Sequence, residues 1–157
     1  MNKTILVAGG AGFIGHHLCK RLKEEGNSVI VVDNLITGAM CNVPSESQCI
    51  CADVHKRESM KAVQEILDTY GRVHEIYHLA SPASPTKYKQ EPWVTIGSNT
   101  TGTINLLSLA EKYDAKLLFA STSEVYGDPE PAVQTEEYFG NVSTIGDRAP
   151  YDESKRL

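Results

Sequence analysis

The sequence predicts a doubly wound α/β domain on a parallel sheet. Three observations carry this. Short apolar runs rich in β-branched residues alternate with stretches whose apolar residues recur every three or four positions. The first such run leads straight into a glycine cluster. The second ends on an aspartate.

The elements follow in order. Residues 4–9 (TILVAG) read as a buried strand. Ile14, Leu18 and Leu22 then recur at helical spacing, and Gly26-Asn27 ends that helix. Residues 28–33 (SVIVVD) are a second strand, and residues 48–54 a third beyond a loop with Gly38 and Pro44. Met60, Val63, Leu67 and Tyr70 form one helical stripe, stopped by Gly71. Residues 75–80 (EIYHLA) are strand four, followed by the helix-breaking SPASP. A single long helix is expected over 94–113, with Ile104, Leu107 and Ala110 facing inward. Residues 116–121 (KLLFAS) are strand five. Residues 127–150 read as a loop, and Pro150 fits the first turn of a last helix.

The 157 residues suffice for one domain with a core. A net charge of -5 and the lack of a long basic run argue against nucleic acid as the partner. No stretch is long and apolar enough to span a membrane, and the N-terminal run lacks a cleavage-site pattern, so the cytoplasm is the expected compartment. Cys19, Cys41, Cys49 and Cys51 read as reduced thiols. Adding His55 to Cys49 and Cys51 matches no common zinc frame, so no metal is expected.

The glycines read as G-x-x-G-x-x-G from Gly9 and as G-x-G-x-x-G from Gly10. A strand before, a helix after and Asp33 at the end of strand two make this a dinucleotide frame. Glycines permit close approach of a pyrophosphate, which the helix N-terminus attracts. A carboxylate at Asp33 accepts from ribose hydroxyls and repels a 2′-phosphate, so NAD is expected over NADP.

Strand five runs into Ser121-Thr122-Ser123-Glu124, at the end of the sheet where ligands bind. Downstream, Tyr151 and Lys155 share one helical face. An ammonium beside a phenol favours phenolate and lowers its pKa, which makes Tyr151 a candidate base. A Thr or Ser hydroxyl would complete the proton relay.

GGAGFIG, VVDN, YHLASPASP, NTTGT, LLFASTSEVYGDPE and RAPYDESKR together span nearly the whole chain. On these stretches the sequence resembles the extended short-chain dehydrogenase/reductases that act on nucleotide sugars. Within them it is most similar to the UDP-glucuronate decarboxylases. GGAGFIG and Tyr-x-x-x-Lys mark only the superfamily; ASPASP with STSEVYGDP is more specific.

The resemblance implies a Rossmann-like fold and oxidation of UDP-glucuronate at C4 by NAD, followed by loss of carbon dioxide and reduction to UDP-xylose. It implies catalytic roles for Tyr151, Lys155, Thr122, Ser123 and Glu124. Cofactor contacts are implied for Gly9, Gly12, Phe13, Ile14, Gly15, Asp33, Asn34, Asp53, Val54, Leu79, Ala80 and Ser81, with Tyr151 and Lys155 at the nicotinamide end. Asn99 is counted with them as a fold-supporting residue, and Ser84, Tyr88 and Arg148 are implied for the sugar. A 4,6-dehydratase would want an acid where Ser123 stands; a 4-epimerase or a non-catalytic NAD-binding module are the other readings.

His16 and Ser154 depart from the usual Ser and Gly, and His16 is expected to put a bulky ring beside the pyrophosphate. The chain is expected to be an NAD-binding domain over 1–157, incomplete at its C-terminus and without a substrate domain. Family members form homodimers, and a weakened or altered dimer is expected here.

Overall fold

A computed structural model describes residues 2–157. Five parallel strands form one sheet: β1 (Thr4–Ala8), β2 (Ser28–Asp33), β3 (Gln48–Cys51), β4 (Glu75–His78) and β5 (Lys116–Phe119). Their order is β3-β2-β1-β4-β5. Because β1 pairs with both β2 and β4, the order of strand addition reverses there, and a crevice opens beyond the ends of β1 and β4. Strands β3 to β5 are shorter than the sequence predicts. Their backbones leave the ladder after one further bond, such as Ala52 N–H to the Asp33 carbonyl at 3.1 Å.

Among the described residues six helices flank the sheet: α1 (Phe13–Glu24), α2 (Arg57–Asp68), α3 (Pro85–Gln90), α4 (Pro92–Asn99), α5 (Thr101–Tyr113) and α6 (Ala149–Arg156). Alternate strand residues face opposite sides, so the core has two halves. Leu6, Ile30, Val32 and Ile76 pack with Met60, Val63 and Leu67 of α2 and Leu106 and Leu109 of α5. Ile5, Val7, Val29 and Val31 pack with Cys19 and Leu22 of α1.

Two helical registers differ from expectation. In α1 the buried residues are Gly15, Cys19 and Leu22, while Ile14 is exposed. Gly15 packs against the glycine loop, where an added Cβ would lie 2.1 Å from the Gly9 carbonyl oxygen. The expected helix over 94–113 is broken at Thr100 (φ -104°, ψ -80°). Threonine hydroxyls take two carbonyls of the last turn of α4: Thr100 Oγ1 donates to Ile96 O (2.7 Å) and Thr103 Oγ1 to Asn99 O (2.6 Å). The break turns Leu106, Leu109, Ala110 and Tyr113 inward and leaves Ile104 and Leu107 exposed.

Tyr70 lies beyond the end of α2 and donates its hydroxyl to Gln48 Oε1 at 2.5 Å. Residues 127–148 are irregular apart from a bridge between Gly127 and Asn141. All four cysteines are free, and His55 Nδ1 lies 2.8 Å from Asp53 Oδ1. Among the described residues no helix is long and apolar enough to cross a membrane.

Candidate active site

The crevice is a cleft of about 620 Å³ running from the glycine loop to α6. At Gly9 the backbone has φ +84°, and an added Cβ would sit 2.6 Å from the Leu79 carbonyl carbon. Only glycine allows β1 to turn there while the end of β4 passes alongside. No side chain caps α1 at Gly12. Its first-turn N–H groups are therefore left for a ligand, with the positive end of the helix dipole behind them.

Asp33 is buried at the end of β2. Its Oδ2 accepts from Ala11 N at 3.0 Å and its Oδ1 from Leu35 N at 2.8 Å. These bonds lock the glycine loop to the loop after β2, and the carboxylate retains lone pairs for a further donor. His16 is turned away from the cleft, contrary to expectation. Its Nδ1 bonds the carbonyl of Asn42.

At the other end, α6 brings Tyr151 and Lys155 into the same cleft. Lys155 Nζ donates to Ala120 O at 2.6 Å and lies 4.4 Å from the centre of the Phe119 ring. Burial lowers its pKa to about 8. The expectation that Lys155 lowers the pKa of Tyr151 is not met. Burial raises the Tyr151 pKa, the Thr122 hydroxyl opposes that rise, and Glu124, Asp152 and Tyr88 add to it. Lys155 is engaged by the Ala120 carbonyl and Phe119 instead.

The other expected residues divide. Gly9, Gly12, Phe13, Ile14, Gly15, Asp33, Asn34, Val54, Leu79, Ala80, Ser81 and Ser84 line the cleft. Asp53 does not; it is turned toward His55 and Lys56. Asn99 is buried against α6, where its Nδ2 donates to Ser154 Oγ at 2.9 Å. Ser154 Oγ donates in turn to the Tyr151 carbonyl at 3.1 Å. Tyr88 is buried behind Tyr151, with rings stacked at 4.9 Å and 13°.

Thr122 caps the short 3₁₀ turn Ser123–Tyr126, its Oγ1 accepting from Glu124 N at 3.3 Å. Glu124 pairs with Arg148, and both line an adjoining cavity of about 450 Å³ together with Asp152. Ser123 is exposed beside them.

Ser121, read from the sequence at the ligand end of strand five, lines the cleft. Thr37, Lys87, Val94 and Ser98 line it too and escape the sequence reading. Val94 and Ser98 were hidden by the undivided helix, whose break at Thr100 sets the course of α4.

Residues 5–157 match the NAD dependent epimerase/dehydratase family. The chain belongs to this family. It is 48% identical over 155 residues to UDP-glucuronic acid decarboxylase 1 of Xenopus tropicalis, covering 99% of this chain and 35% of that protein. It is 47% identical over 157 residues to UDP-glucuronic acid decarboxylase 6 of Arabidopsis thaliana, covering 99% and 44%. Among solved structures, a UDP-glucose 4-epimerase of Thermotoga maritima with UDP-glucose superposes with a TM-score of 0.81 at 32% identity, over 97% of this chain and 47% of that one. The Thermus thermophilus UDP-glucose 4-epimerase in complex with NAD gives 0.79 at 32%, over 98% and 47%. The chain thus spans less than half the length of these relatives.

The cleft of this epimerase/dehydratase-family chain fits NAD on its own features. The start of α1 is uncapped, the loop at Gly9 and Gly12 carries no Cβ, and Asp33 has acceptor capacity to spare. The buried Ser81 hydroxyl in the cleft wall has no partner among the described residues.

Proposed function

We propose that this chain supplies the NAD-binding and proton-transferring part of a UDP-glucuronate decarboxylase. The observation that carries this reading is the convergence of Tyr151, Lys155 and the uncapped start of α1 on one cleft. The similarity to UDP-glucuronic acid decarboxylases supports the substrate.

Gly9, Gly12, Phe13, Ile14 and Gly15 hold the pyrophosphate, Asp33 and Asn34 the adenine ribose, and Val54 the adenine. Leu79, Ala80 and Ser81 flank the rest of the cofactor, and Lys155 reaches the nicotinamide ribose. Held there, NAD would supply the acceptor for the C4 hydride of the sugar and, once reduced, the donor that restores it. Tyr151 takes the proton of the 4-hydroxyl, with the Thr122 hydroxyl on its path. Burial holds the Tyr151 proton in the ligand-free cleft, so phenolate forms only where positive charge is brought beside it; the oxidised nicotinamide ring would bring that charge, with Lys155 placing the nicotinamide ribose.

The sugar left behind is a 4-keto acid whose carboxylate is β to the ketone. Its C5–C6 bond breaks, carbon dioxide leaves, and the electrons pass into an enolate that takes a proton at C5. Tyr151 then returns its proton to O4 as C4 is reduced, giving UDP-xylose. Ser123, Glu124 and Ser84 face the sugar, and Arg148 offers a guanidinium to its carboxylate. Tyr88 acts through Tyr151. The exposed Ile104 and Leu107 of α5 offer a face for pairing two copies.

The solved neighbours favour a second reading, a nucleotide-sugar 4-epimerase, which needs the same Tyr151 and Lys155. Calorimetry with NAD, followed by incubation with UDP-glucuronate and with UDP-glucose, separates the two. The decarboxylase reading expects saturable NAD binding and carbon dioxide released from UDP-glucuronate, lost in Tyr151→Phe. Exchange of UDP-glucose and UDP-galactose without carbon dioxide release would favour the epimerase. NAD binding with no turnover of either sugar would leave a binding module.

A further inference from the structure

The loop between β2 and β3 supplies Ile36, Thr37 and Gly38 to the cleft wall. Residues 34–42 hold no charged side chain, and their regular structure is limited to the 3₁₀ turn Met40–Asn42. The loop is attached instead to one residue of the glycine loop, Ala11. The Ala11 N–H donates to Asp33 Oδ2 at 3.0 Å. The Ala11 carbonyl accepts from Ala39 N at 3.1 Å and from Asn42 Nδ2 at 2.8 Å. Gly38 lies directly against Ala11.

Asn42 is secured from α1. His16 stands one turn into that helix and bonds the Asn42 carbonyl through Nδ1. The acceptor is a carbonyl, so Nδ1 carries the proton. This carbonyl closes the 3₁₀ turn, where it has no partner within the turn. The helix that offers its N-terminus to the cleft therefore also fastens the loop that walls the Asp33 end.

We infer that His16 is a positioning residue for the cofactor: through Asn42 it clamps the β2–β3 loop onto Ala11 and sets the cleft wall before ligand arrives. The inference rests on the reading that the cleft takes NAD. A loop ordered in advance spares the ordering cost at binding. An asparagine at position 16 would place its amide nitrogen near the site of Nδ1; alanine offers nothing there.

The test compares wild type, His16→Ala and His16→Asn. Amide exchange of Ala39 is followed in the ligand-free protein, and affinity for NAD and for ADP-ribose by calorimetry. In His16→Ala the Ala39 amide is expected to exchange faster, and both affinities to fall alike by about five- to tenfold, the worth of one hydrogen bond. His16→Asn is expected to restore both. Exchange at Ala39 unchanged in His16→Ala would overturn the clamp, even with NAD bound normally. Faster exchange with unmoved affinities, or no rescue by Asn, would overturn the positioning role. A wild type that binds neither NAD nor ADP-ribose would overturn the cofactor reading and the positioning role together, an outcome distinct from a variant that binds like wild type.

Discussion

Lys155 shows how burial sets the chemistry of one residue. Its amine is desolvated between the Ala120 carbonyl and the Phe119 ring, and its pKa falls to about 8. A folded pKa below the unfolded value means that the unfolded chain binds more protons between about pH 8 and 10.5. Stability from this residue is therefore depressed below pH 8 and recovers as pH rises through that window. The raised pKa values of Cys19, Cys49 and Tyr151 act in the opposite sense at alkaline pH. The difference between wild type and Lys155→Met isolates the lysine. Urea unfolding at pH 7 and pH 10 is expected to show wild type gaining on the variant by about 2 kcal/mol. Equal gains in both proteins would mean that the amine is not desolvated. The Tyr151-Lys155 pair was legible from its spacing. The sense of the Tyr151 shift was not, because it depends first on burial, with a carboxylate from another segment, Glu124, adding to it.

At the scale of elements, the break between α4 and α5 decides which side chains reach the cleft. His78, at the end of β4, supports it from below: its Nε2 lies 3.1 Å from both Ser98 O and Thr103 Oγ1. Burial and the nearby Lys155 charge lower its pKa to about 4. The unfolded chain binds the extra proton between pH 4 and 6.5, so stability present above 6.5 is lost as pH falls toward 4. His78→Gln keeps a donor at the ε position without the titration. Thermal melts from pH 7 to pH 4 are expected to show wild type losing up to about 3 kcal/mol more than this variant. Parallel acid curves would refute the role given to His78. The sequence carried the existence and order of the strands, whose short apolar runs are set off by turn residues, though it placed the ends of β3 to β5 too late. It did not carry the break, since Ile104, Leu107 and Ala110 fit an inward face as well as the true set does. Threonine hydroxyls and a histidine from another strand choose between them.

Across the whole molecule, the cleft joins elements that are far apart in the chain. Its Asp33 end rests on β2 and α1, and its Lys155 end on α6. A ligand that spans both ends ties them together, whereas one that fills the Asp33 end leaves α6 to its own short contacts. NAD at 100 times its dissociation constant is expected to stabilise the fold by about 2.7 kcal/mol. ADP-ribose at the same concentration should stabilise it less. Protection of α6 amides from exchange should appear with NAD and be weak with ADP-ribose. Equal protection by both would place the nicotinamide away from Tyr151 and Lys155. The glycine motif made the Asp33 end legible; the meeting with α6 rests on contacts between distant segments, among them the Asn99–Ser154 bond and the Tyr88–Tyr151 stack, which no local pattern announces.

The environment of Lys155 also has a cost. An amine whose pKa burial lowers to about 8, set in the wall of a cleft wide enough for a dinucleotide, is a better nucleophile at neutral pH than an ordinary lysine once it leaves the Ala120 carbonyl. Aldehydes and acylating agents that enter the cleft find an amine partly freed of its charge. Capture there would block the site covalently, and an occupied cleft would be its shield.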